Sequence, residues 1–309
     1  MITFPDVDAT QQDCLTDEQA QFFRNYGLLV IRRVVRGEEL RRMQAETGGL
    51  IDRARAARVN EPDYAYAKHE ITGQEVPHRI EYVIDKTTAG KALLGHPFIL
   101  RSVEKLQGRN FIPTWDSLVF KAEGAGKAVP WHRDGGREFY AGEEYGDRPI
   151  FNVDFYLDPA TLENCLWGIP GSNQWTDAEA QAECQRHNTN GFDTAGAVPI
   201  PMQPGDVIFH NILVLHGSPP TQGAMRRTVY YEFRPGEIER DSGPHVPEYI
   251  PLKQRELMAC LRDRARASYV RDEKPFLYRP TPEFAPPALG TDEQLPTYRY
   301  PHKDYWRKS

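Results

Sequence analysis

Residues 205–233 read GDVIFHNILVLHGSPPTQGAMRRTVYYEF, and they contain three short apolar runs separated by Asn, Gly and Pro. Runs of this length, rich in Val, Ile, Leu, Phe and Tyr and bounded by turn-forming residues, are typical of antiparallel strands. His216 closes one run, and Arg226 and Arg227 open the next. The stretch therefore predicts β-structure whose strand ends carry polar, chemically capable side chains.

The same pattern of short apolar runs separated by turn-forming residues extends upstream to about residue 110. The runs there are SLVFKA (117–122), AVPWHRD (128–134), PIFNVDFYL (149–157) and CLWGIP (165–170). A short helix is predicted over TDAEAQAECQRH (176–187), between two of the strands. Many short strands at close spacing predict a mainly β fold, either a sandwich or a barrel, with flanking helices.

The flanking segments favour helices. Thr16 followed by Gln19 forms a capping-box pattern, so a helix is predicted over 15–27, followed by a strand over 28–35. A second helix is predicted over 37–58, with Gly48 and Gly49 as a possible break. We predict one catalytic domain over 1–309. Its parts would be an N-terminal helical layer (1–60), a β core (about 110–235) and a C-terminal extension (236–309) that begins with a helix.

Composition narrows the class of partner. The chain has 309 residues and a net charge of -6, which argues against binding nucleic acid through clustered basic residues. Its four cysteines form no CxxC pair, and no apolar stretch approaches the length of a membrane span. We expect a cytoplasmic protein with a small-molecule substrate, no nucleic-acid partner and no membrane partner. The oligomeric state stays open.

His132 and Asp134 in WHRDGG form the first candidate site. They lie two positions apart on a predicted strand, so period-2 alternation puts both side chains on one face. His216 closes another strand and can complete a set of two imidazoles and one carboxylate. Such a set leaves metal positions open for co-substrate and oxygen, which suits iron(II).

An arginine near His216 adds to this signal. Arg227 follows His216 by 11 positions, and a guanidinium is the preferred bidentate partner of a carboxylate. Arg226 and Arg227 are neighbours on one strand, so their side chains should point to opposite faces. Only one of them can face a site.

The chain resembles the phytanoyl-CoA dioxygenase family of iron(II)- and 2-oxoglutarate-dependent oxygenases from about Leu15 to Arg234. The segments that carry the resemblance are LTDEQAQFFRNYGLLVIRRVVRGEEL, FKAEGAGKAVPWHRD, LDPATLENCLWGIPGSNQW and GDVIFHNILVLHGSPPTQGAMRR. The chain departs from the family pattern at three positions that are not metal ligands in the family: Glu163, Asn164 and Asn173. The resemblance implies a double-stranded β-helix core, that is, a cupin-like jelly roll.

The resemblance also assigns roles to residues. It implies that iron(II) is bound by His132, Asp134 and His216, with 2-oxoglutarate and O2 as co-substrates. Arg227 would bind the distal carboxylate of 2-oxoglutarate with help from Ser218. Family members that halogenate replace the carboxylate ligand with a small residue, so Asp134 favours hydroxylation.

Several other side chains are weaker candidates. Asn152 lies on the polar face of its strand and is a possible co-substrate contact. Arg137, in a loop (135–149) that we predict to be a lid, is a possible substrate contact. Lys121 and Trp167 are further candidates of that kind. His210 is a rival metal ligand that we expect to be a satisfied histidine near the barrel rim. The other histidines are expected to be surface or structural residues: His69, His78, His96, His187, His245 and His302.

The function that this resemblance implies is the oxidation, most simply the hydroxylation, of an unactivated C–H bond. The substrate would be a small polar metabolite or a natural-product intermediate, and succinate and CO2 would be released. Two alternatives stay open. One is a cupin-type metalloenzyme that does not use 2-oxoglutarate, and the other is an inactive binding protein on the same scaffold.

Overall fold

The computed structural model describes residues 2–140, 148–189, 191–270, 273–293 and 295. The strands are β1 (Val7–Asp8), β2 (Leu28–Arg32), β3 (Tyr64–Lys68), β4 (Glu75–Glu81), β5 (Phe111–Lys121), β6 (Val129–His132), β7 (Phe151–Tyr156), β8 (Leu166–Gly168), β9 (Val198–Ile200), β10 (Val207–Asn211), β11 (His216–Ser218) and β12 (Arg226–Pro235). The helices are α1 (Asp17–Tyr26), α2 (Gly37–Ala56), α3 (Val83–Lys86), α4 (Thr88–Leu94), α5 (Pro97–Gln107), α6 (Asp177–Thr189), α7 (Gly236–Asp241) and α8 (Tyr249–Arg266).

Two sheets face each other. The large sheet has the strand order β1-β2-β10-β7-β12-β5-β4-β3, and the small sheet has the order β6-β11-β8-β9. All neighbouring pairs except β1 with β2 are antiparallel. This is the double-stranded β-helix that the sequence predicted.

The large sheet has a helix side and a barrel side. On β7 and β12, apolar residues alternate with polar ones, and the apolar residues Val153, Phe155, Val229 and Tyr231 belong to the largest core cluster. That cluster also contains Phe23 of α1, so the N-terminal helices cover this face. The polar residues of the same strands therefore face the barrel interior.

The helix boundaries follow local chemistry. Thr16 and Gln19 form the predicted capping box at the start of α1, an arrangement that contributes about 1 kcal/mol. Gly27 ends that helix in the left-handed conformation with φ 69°, where a side chain would meet Val214. Helix α2 continues through Gly48 and Gly49 without a break.

The large sheet includes strands that lie outside the segment predicted to form the β core. The large sheet also includes β1, β2, β3 and β4, all of which precede residue 110. The sequence analysis did not predict β3, β4 or helices α3 to α5. Most of these elements are short, but α5 carries Ile99, Val103 and Leu106 at helical spacing, a signal that could have identified it. No helix among the described residues combines the length and apolarity that a bilayer crossing requires.

Candidate active site

The three candidate ligands meet at the edge of the small sheet. His132 ends β6, His216 begins β11, and the two residues are direct cross-strand partners. Asp134 follows β6, where its backbone N–H donates to Ile212 O at 3.0 Å. One ligand atom from each of these three residues lies within 4.8 Å of the other two, a spacing that can hold a metal ion.

Backbone carbonyls orient both imidazoles. Nδ1 of His132 lies 2.8 Å from Pro130 O, and Nδ1 of His216 lies 3.0 Å from Val214 O. When Nδ1 carries the proton and donates it to a carbonyl, Nε2 keeps its lone pair for a metal. Nε2 of His132 is 3.3 Å from Asp134 Oδ1, and Nε2 of His216 is 3.8 Å from Asp134 Oδ2. Both lone pairs are thus directed to the same place.

The protonation states of His216 and Asp134 also suit a metal. Burial, followed by the charge of His132, lowers the pKa of His216 to about 3, so His216 is neutral at pH 7. Burial alone would raise the pKa of Asp134, but the neighbouring imidazoles outweigh it and hold that pKa well below the usual range. A neutral imidazole and an ionised carboxylate are the forms that bind a cation.

Two side chains hold the second oxygen of Asp134. Asn152 Nδ2 donates to Oδ2 at 2.8 Å, and His210 Nε2 lies 2.8 Å from the same atom. His210 also lies 2.8 Å from Asp154 through Nδ1. Burial alone would lower the pKa of His210, but Asp154 and Asp134 raise it to about 10. His210 is therefore a partner of the Asp134 carboxylate, in the cavity wall and not at the barrel rim.

A cavity of about 270 Å³ contains all three candidate ligands. Arg226 and Thr228 of β12 line its far end, and Tyr156 of β7 lies beside them. The Arg226 side chain is buried, and its Nη1 donates to Asn164 O at 2.8 Å and to Ser218 Oγ at 3.3 Å. Nε of Arg226 has no hydrogen-bond partner among the described residues.

The prediction that Arg227 faces the cavity is wrong. Arg227 lies on the helix side of β12, where Nε and Nη2 contact the two oxygens of Asp158 at 2.7 and 2.6 Å. Its Nη1 donates to Gln44 O on α2 at 2.6 Å. The alternation of the two arginines holds, but the faces are exchanged. Side chains alternate along a strand, so Arg227 points to the same face of β12 as the apolar residues Val229 and Tyr231. The helices cover that face.

The other candidate residues are dispersed. Asn152 lines the cavity, and Ser218 lies beside Arg226. Lys121 is buried and donates to the carbonyls of Lys127 and Pro219, so it fixes two loops and does not line the cavity. Burial, followed by the charge of Arg226, holds the pKa of Lys121 well below its usual range.

Arg137 and Trp167 also lie away from the cavity lining. Arg137 donates to the backbone carbonyls of Trp175 and Asn173, and Trp167 packs against two apolar clusters. The predicted lid, 135–149, falls partly on residues 141–147, and part of the C-terminal extension falls on 296–309; both ranges lie outside the described residues, as does His302.

The sequence pattern missed a second cavity of about 260 Å³ on the other side of Asp134. It shares four residues with the first cavity: Arg79, Asp134, Asn152 and Tyr230. The rest of its lining is Trp115, Phe139, Glu232, Arg234, Pro244 and His245. We call the first the Arg226 cavity and the second the Glu232 chamber. His78 and His245, expected to be surface or structural, line one cavity each.

The phytanoyl-CoA dioxygenase (PhyH) family model matches residues 23–229, about two thirds of the chain. The chain belongs to the phytanoyl-CoA dioxygenase family. It is thus a non-haem iron oxygenase that depends on Fe(II) and 2-oxoglutarate, as the sequence predicted. A comparison with curated proteins gives no match.

Solved structures of other proteins share this fold. EvdMO1 is 28% identical with a TM-score of 0.56, and the match covers 70% of this chain and 49% of EvdMO1, about half its length. AviO1 from Streptomyces viridochromogenes Tue57 is 26% identical with a TM-score of 0.53, covering 70% of this chain and 92% of AviO1. EctD from S. alaskensis, with 2-oxoglutarate and 5-hydroxyectoine, is 20% identical with a TM-score of 0.56, covering 72% and 77%.

Proposed function

We propose that this family member hydroxylates an unactivated C–H bond of a small polar metabolite or natural-product intermediate. His132, Asp134 and His216 would bind Fe(II), and Arg226 would bind the distal carboxylate of 2-oxoglutarate. In the overall reaction, one atom of O2 enters the substrate as hydroxyl and the other enters succinate, while the 1-carboxylate leaves as CO2. We propose that the chain forms one catalytic unit, because β12 of the β core and the turn after α7 in the C-terminal extension both line the Glu232 chamber.

The main support for this proposal is that Arg226 is buried without a carboxylate partner among the described residues. The side chain is 3% exposed and has no carboxylate partner among the described residues. An unpaired buried guanidinium costs several kcal/mol unless an anion accompanies it. A carboxylate at the end of the Arg226 cavity would remove that cost and fill the free donor at Nε. Ser218 Oγ, already in contact with Nη1, would help to orient it.

The donor set fits iron. Two neutral imidazoles and one carboxylate on one side of a cation leave the opposite side open. When bound, iron and 2-oxoglutarate supply an oxidative decarboxylation coupled to attack on a substrate C–H bond. Asn152 and His210 keep Oδ2 of Asp134 occupied, which leaves Oδ1 for the metal. Asp134 also fills the position that a halide would need, which favours hydroxylation.

The first experiment measures chelate formation and turnover. The protein is loaded with Fe(II) and 2-oxoglutarate under anaerobic conditions, and the visible charge-transfer absorbance of the chelate is titrated. Succinate formation is then measured after oxygen is admitted, with a panel of polar metabolites and natural-product intermediates. We expect saturable chelate absorbance and succinate formation that at least one substrate stimulates.

Neighbouring arginines provide a matched pair of variants. Arg226→Met should weaken 2-oxoglutarate binding by about 100-fold, because it removes a charge-assisted hydrogen bond in a buried site. Arg227→Met removes the same charge one residue away but on the helix side, so the 2-oxoglutarate affinity should stay within about twofold. Equal losses in both variants would contradict the role of Arg226.

The remaining outcomes separate the alternatives. Metal binding without the chelate absorbance would favour a metalloenzyme that does not use 2-oxoglutarate. Absence of metal binding in the anaerobic titration would favour an inactive binding protein. A chlorinated product would contradict hydroxylation while leaving the metal site in place.

A further inference from the structure

The Glu232 chamber adjoins the metal site on the side away from Arg226. Alternate residues of β12 follow the whole cleft in order: Arg226 and Thr228 line the Arg226 cavity, Tyr230 lines both spaces, and Glu232 and Arg234 line the chamber. Because 2-oxoglutarate would extend from the metal towards Arg226, the chamber is the space left for the molecule that is oxidised.

Carboxylates already neutralise the cations of this chamber. Arg234 lies between two of them, with Nε 2.6 Å from Glu232 Oε1 and Nη1 3.6 Å from Glu239 Oε2. Arg79, in the shared wall, lies 2.5 Å from Glu81. An anionic substrate would therefore find no unpaired guanidinium among the described residues of the chamber wall.

The chamber wall retains capacity for neutral hydrogen bonds. Nη1 of Arg234 and Oδ1 of Asn152 are buried without a hydrogen-bond partner among the described residues. A buried donor and acceptor that lack partners each cost about 1–3 kcal/mol when water is excluded. A hydroxyl or amide group can satisfy both a donor and an acceptor without bringing a charge.

Aromatic rings supply the apolar part of the wall. Trp115 is fixed by a hydrogen bond from Nε1 to Glu81 Oε2 at 2.8 Å. The Arg234 guanidinium lies 4.9 Å from the centre of the Phe139 ring, which limits the movement of that ring. Trp115 and Phe139 therefore supply fixed apolar surface to the chamber, against which the C–H groups of a ligand can pack. The substrate should thus have an apolar face as well as polar groups.

Part of the chamber lies outside the segment that the family model matches. Glu232, Arg234, Pro244 and His245 all follow residue 229. His245 is held in place, because its Nδ1 lies 2.7 Å from Glu239 Oε1 and its ring stacks on Tyr249. The chamber wall is thus preformed by segments outside the matched region.

We propose that the Glu232 chamber binds the substrate and selects an uncharged molecule with hydroxyl or amide groups next to an apolar face. Carboxylates, phosphate esters and ammonium ions are excluded because Glu232 and Arg234 neutralise each other. This inference rests on the proposed function, since it needs 2-oxoglutarate in the Arg226 cavity.

The test uses three probes that share a cyclohexane ring and differ in charge: neutral trans-1,2-cyclohexanediol, anionic cyclohexanecarboxylate and cationic cyclohexylammonium. The protein is loaded with Mn(II) and 2-oxoglutarate, and paramagnetic broadening of the probe proton signals measures binding near the metal. The diol should broaden saturably and bind at least about fivefold more tightly than either charged probe, because only the diol adds no unpaired charge to the chamber. Stronger binding of a charged probe, or no saturable broadening by the diol, would overturn the proposal.

Two reciprocal variants test the charge argument. Glu232→Gln removes the closer of the two carboxylates at Arg234, so cyclohexanecarboxylate should bind about fivefold more tightly than to the unaltered protein. Arg234→Gln releases Glu232, so cyclohexylammonium should gain instead. Glu123→Gln, in an exposed loop, is the matched control and should change neither preference. If both chamber variants leave the order of the probes unchanged, the proposal is wrong. Either variant alone suffices if the other does not fold.

The Fe(II)·2-oxoglutarate absorbance of the unaltered protein separates the two proposals. If the chelate does not form, the proposed function fails. If it forms and the probes bind in another order, only the assignment of the Glu232 chamber fails.

Discussion

The Arg226 cavity and the Glu232 chamber lie on opposite sides of Asp134, and they differ in how their arginines are neutralised. Arg226 is buried without a carboxylate among the described residues, whereas Arg234 contacts Glu232 and Glu239. An arginine left unpaired in a buried site needs an anion from outside the protein, while a paired one does not. If both proposals hold, one strand, β12, prepares one end of the metal site for a dianion and the other end for a neutral molecule.

The largest expected effect comes from the residue between the two spaces. Asp134→Ala should lower Fe(II) affinity and succinate formation by at least about 100-fold, because it removes one of three ligands and the anchor of Asn152 and His210. Anaerobic Fe(II) titration and a succinate assay measure this. Asp158→Ala, which removes the partner of Arg227, is the matched control and should keep the metal affinity. Unchanged turnover in Asp134→Ala would contradict the metal site itself.

Asn152 tests whether the shared wall supports the metal ligand. Asn152→Ala should weaken Fe(II) binding by about 10–100-fold, because the Oδ2 atom of Asp134 loses a hydrogen bond that orients the carboxylate. The measurement is the same anaerobic titration, with the exposed Asn25→Ala on α1 as the control. A metal affinity equal to that of the unaltered protein would show that His210 alone suffices to hold Asp134.

A smaller effect is expected at the Arg226 end alone. Ser218→Ala should raise the KM for 2-oxoglutarate by about 3–10-fold, since one hydrogen bond contributes about 0.5–1.5 kcal/mol. The Fe(II) affinity should not change. Ser172→Ala removes another buried hydroxyl, one that accepts from Leu215 N, and should reduce stability without changing this KM. A change in metal affinity in Ser218→Ala would mean that the two ends of the cleft are not separable.

The last expected effect is on stability and not on activity, and it concerns the electrostatics of the Arg226 cavity. Burial, followed by the charges of Lys127 and Arg79, lowers the pKa of His78 to about 4. A histidine with a depressed pKa stabilises the fold above its unfolded pKa of about 6.5, and this contribution is lost as the pH falls towards 4. His78→Gln should therefore reduce the loss of unfolding free energy between pH 7 and pH 4.5 by about 1–2 kcal/mol.

Urea denaturation of the metal-free protein at the two pH values measures this difference. If the unfolding free energies of the two proteins change equally between these pH values, the positive charges near His78 are screened by solvent. In that case the electrostatic contrast between the Arg226 cavity and the Glu232 chamber would rest on Arg226 alone.

The sequence predicted much of the fold because its local signals were strong. The capping box of Thr16 and Gln19 and the alternating pattern of residues 149–157 are both present as predicted. The strands β3 and β4 were not predicted, because their residues lack the apolar alternation that marks a strand. Their place in the large sheet depends on pairing with β5, which is a long-range contact.

The error at Arg227 has a physical cause. The prediction relied on the 11-residue distance from His216, but a spacing cannot fix which face of a later strand a residue occupies, because the loop between them can take up one residue. The apolar residues Val229, Tyr231 and Phe233 had to face the helices, and side-chain alternation along β12 puts Arg227 on the same face as these residues. The opposite face of β12, which carries Arg226, is then the face that lines the cavity.

By itself, the sequence determined the type of fold and the three candidate metal ligands, because strand periodicity and a short HxD motif are local properties of the chain. Tertiary structure decided what lies around them. Glu232, Arg234 and His245 come to the same chamber only through the pairing of β12 and the packing of α7 and α8, and the pairing of their charges is visible only in three dimensions. Long-range packing sets which arginine is neutralised, and no local pattern records it.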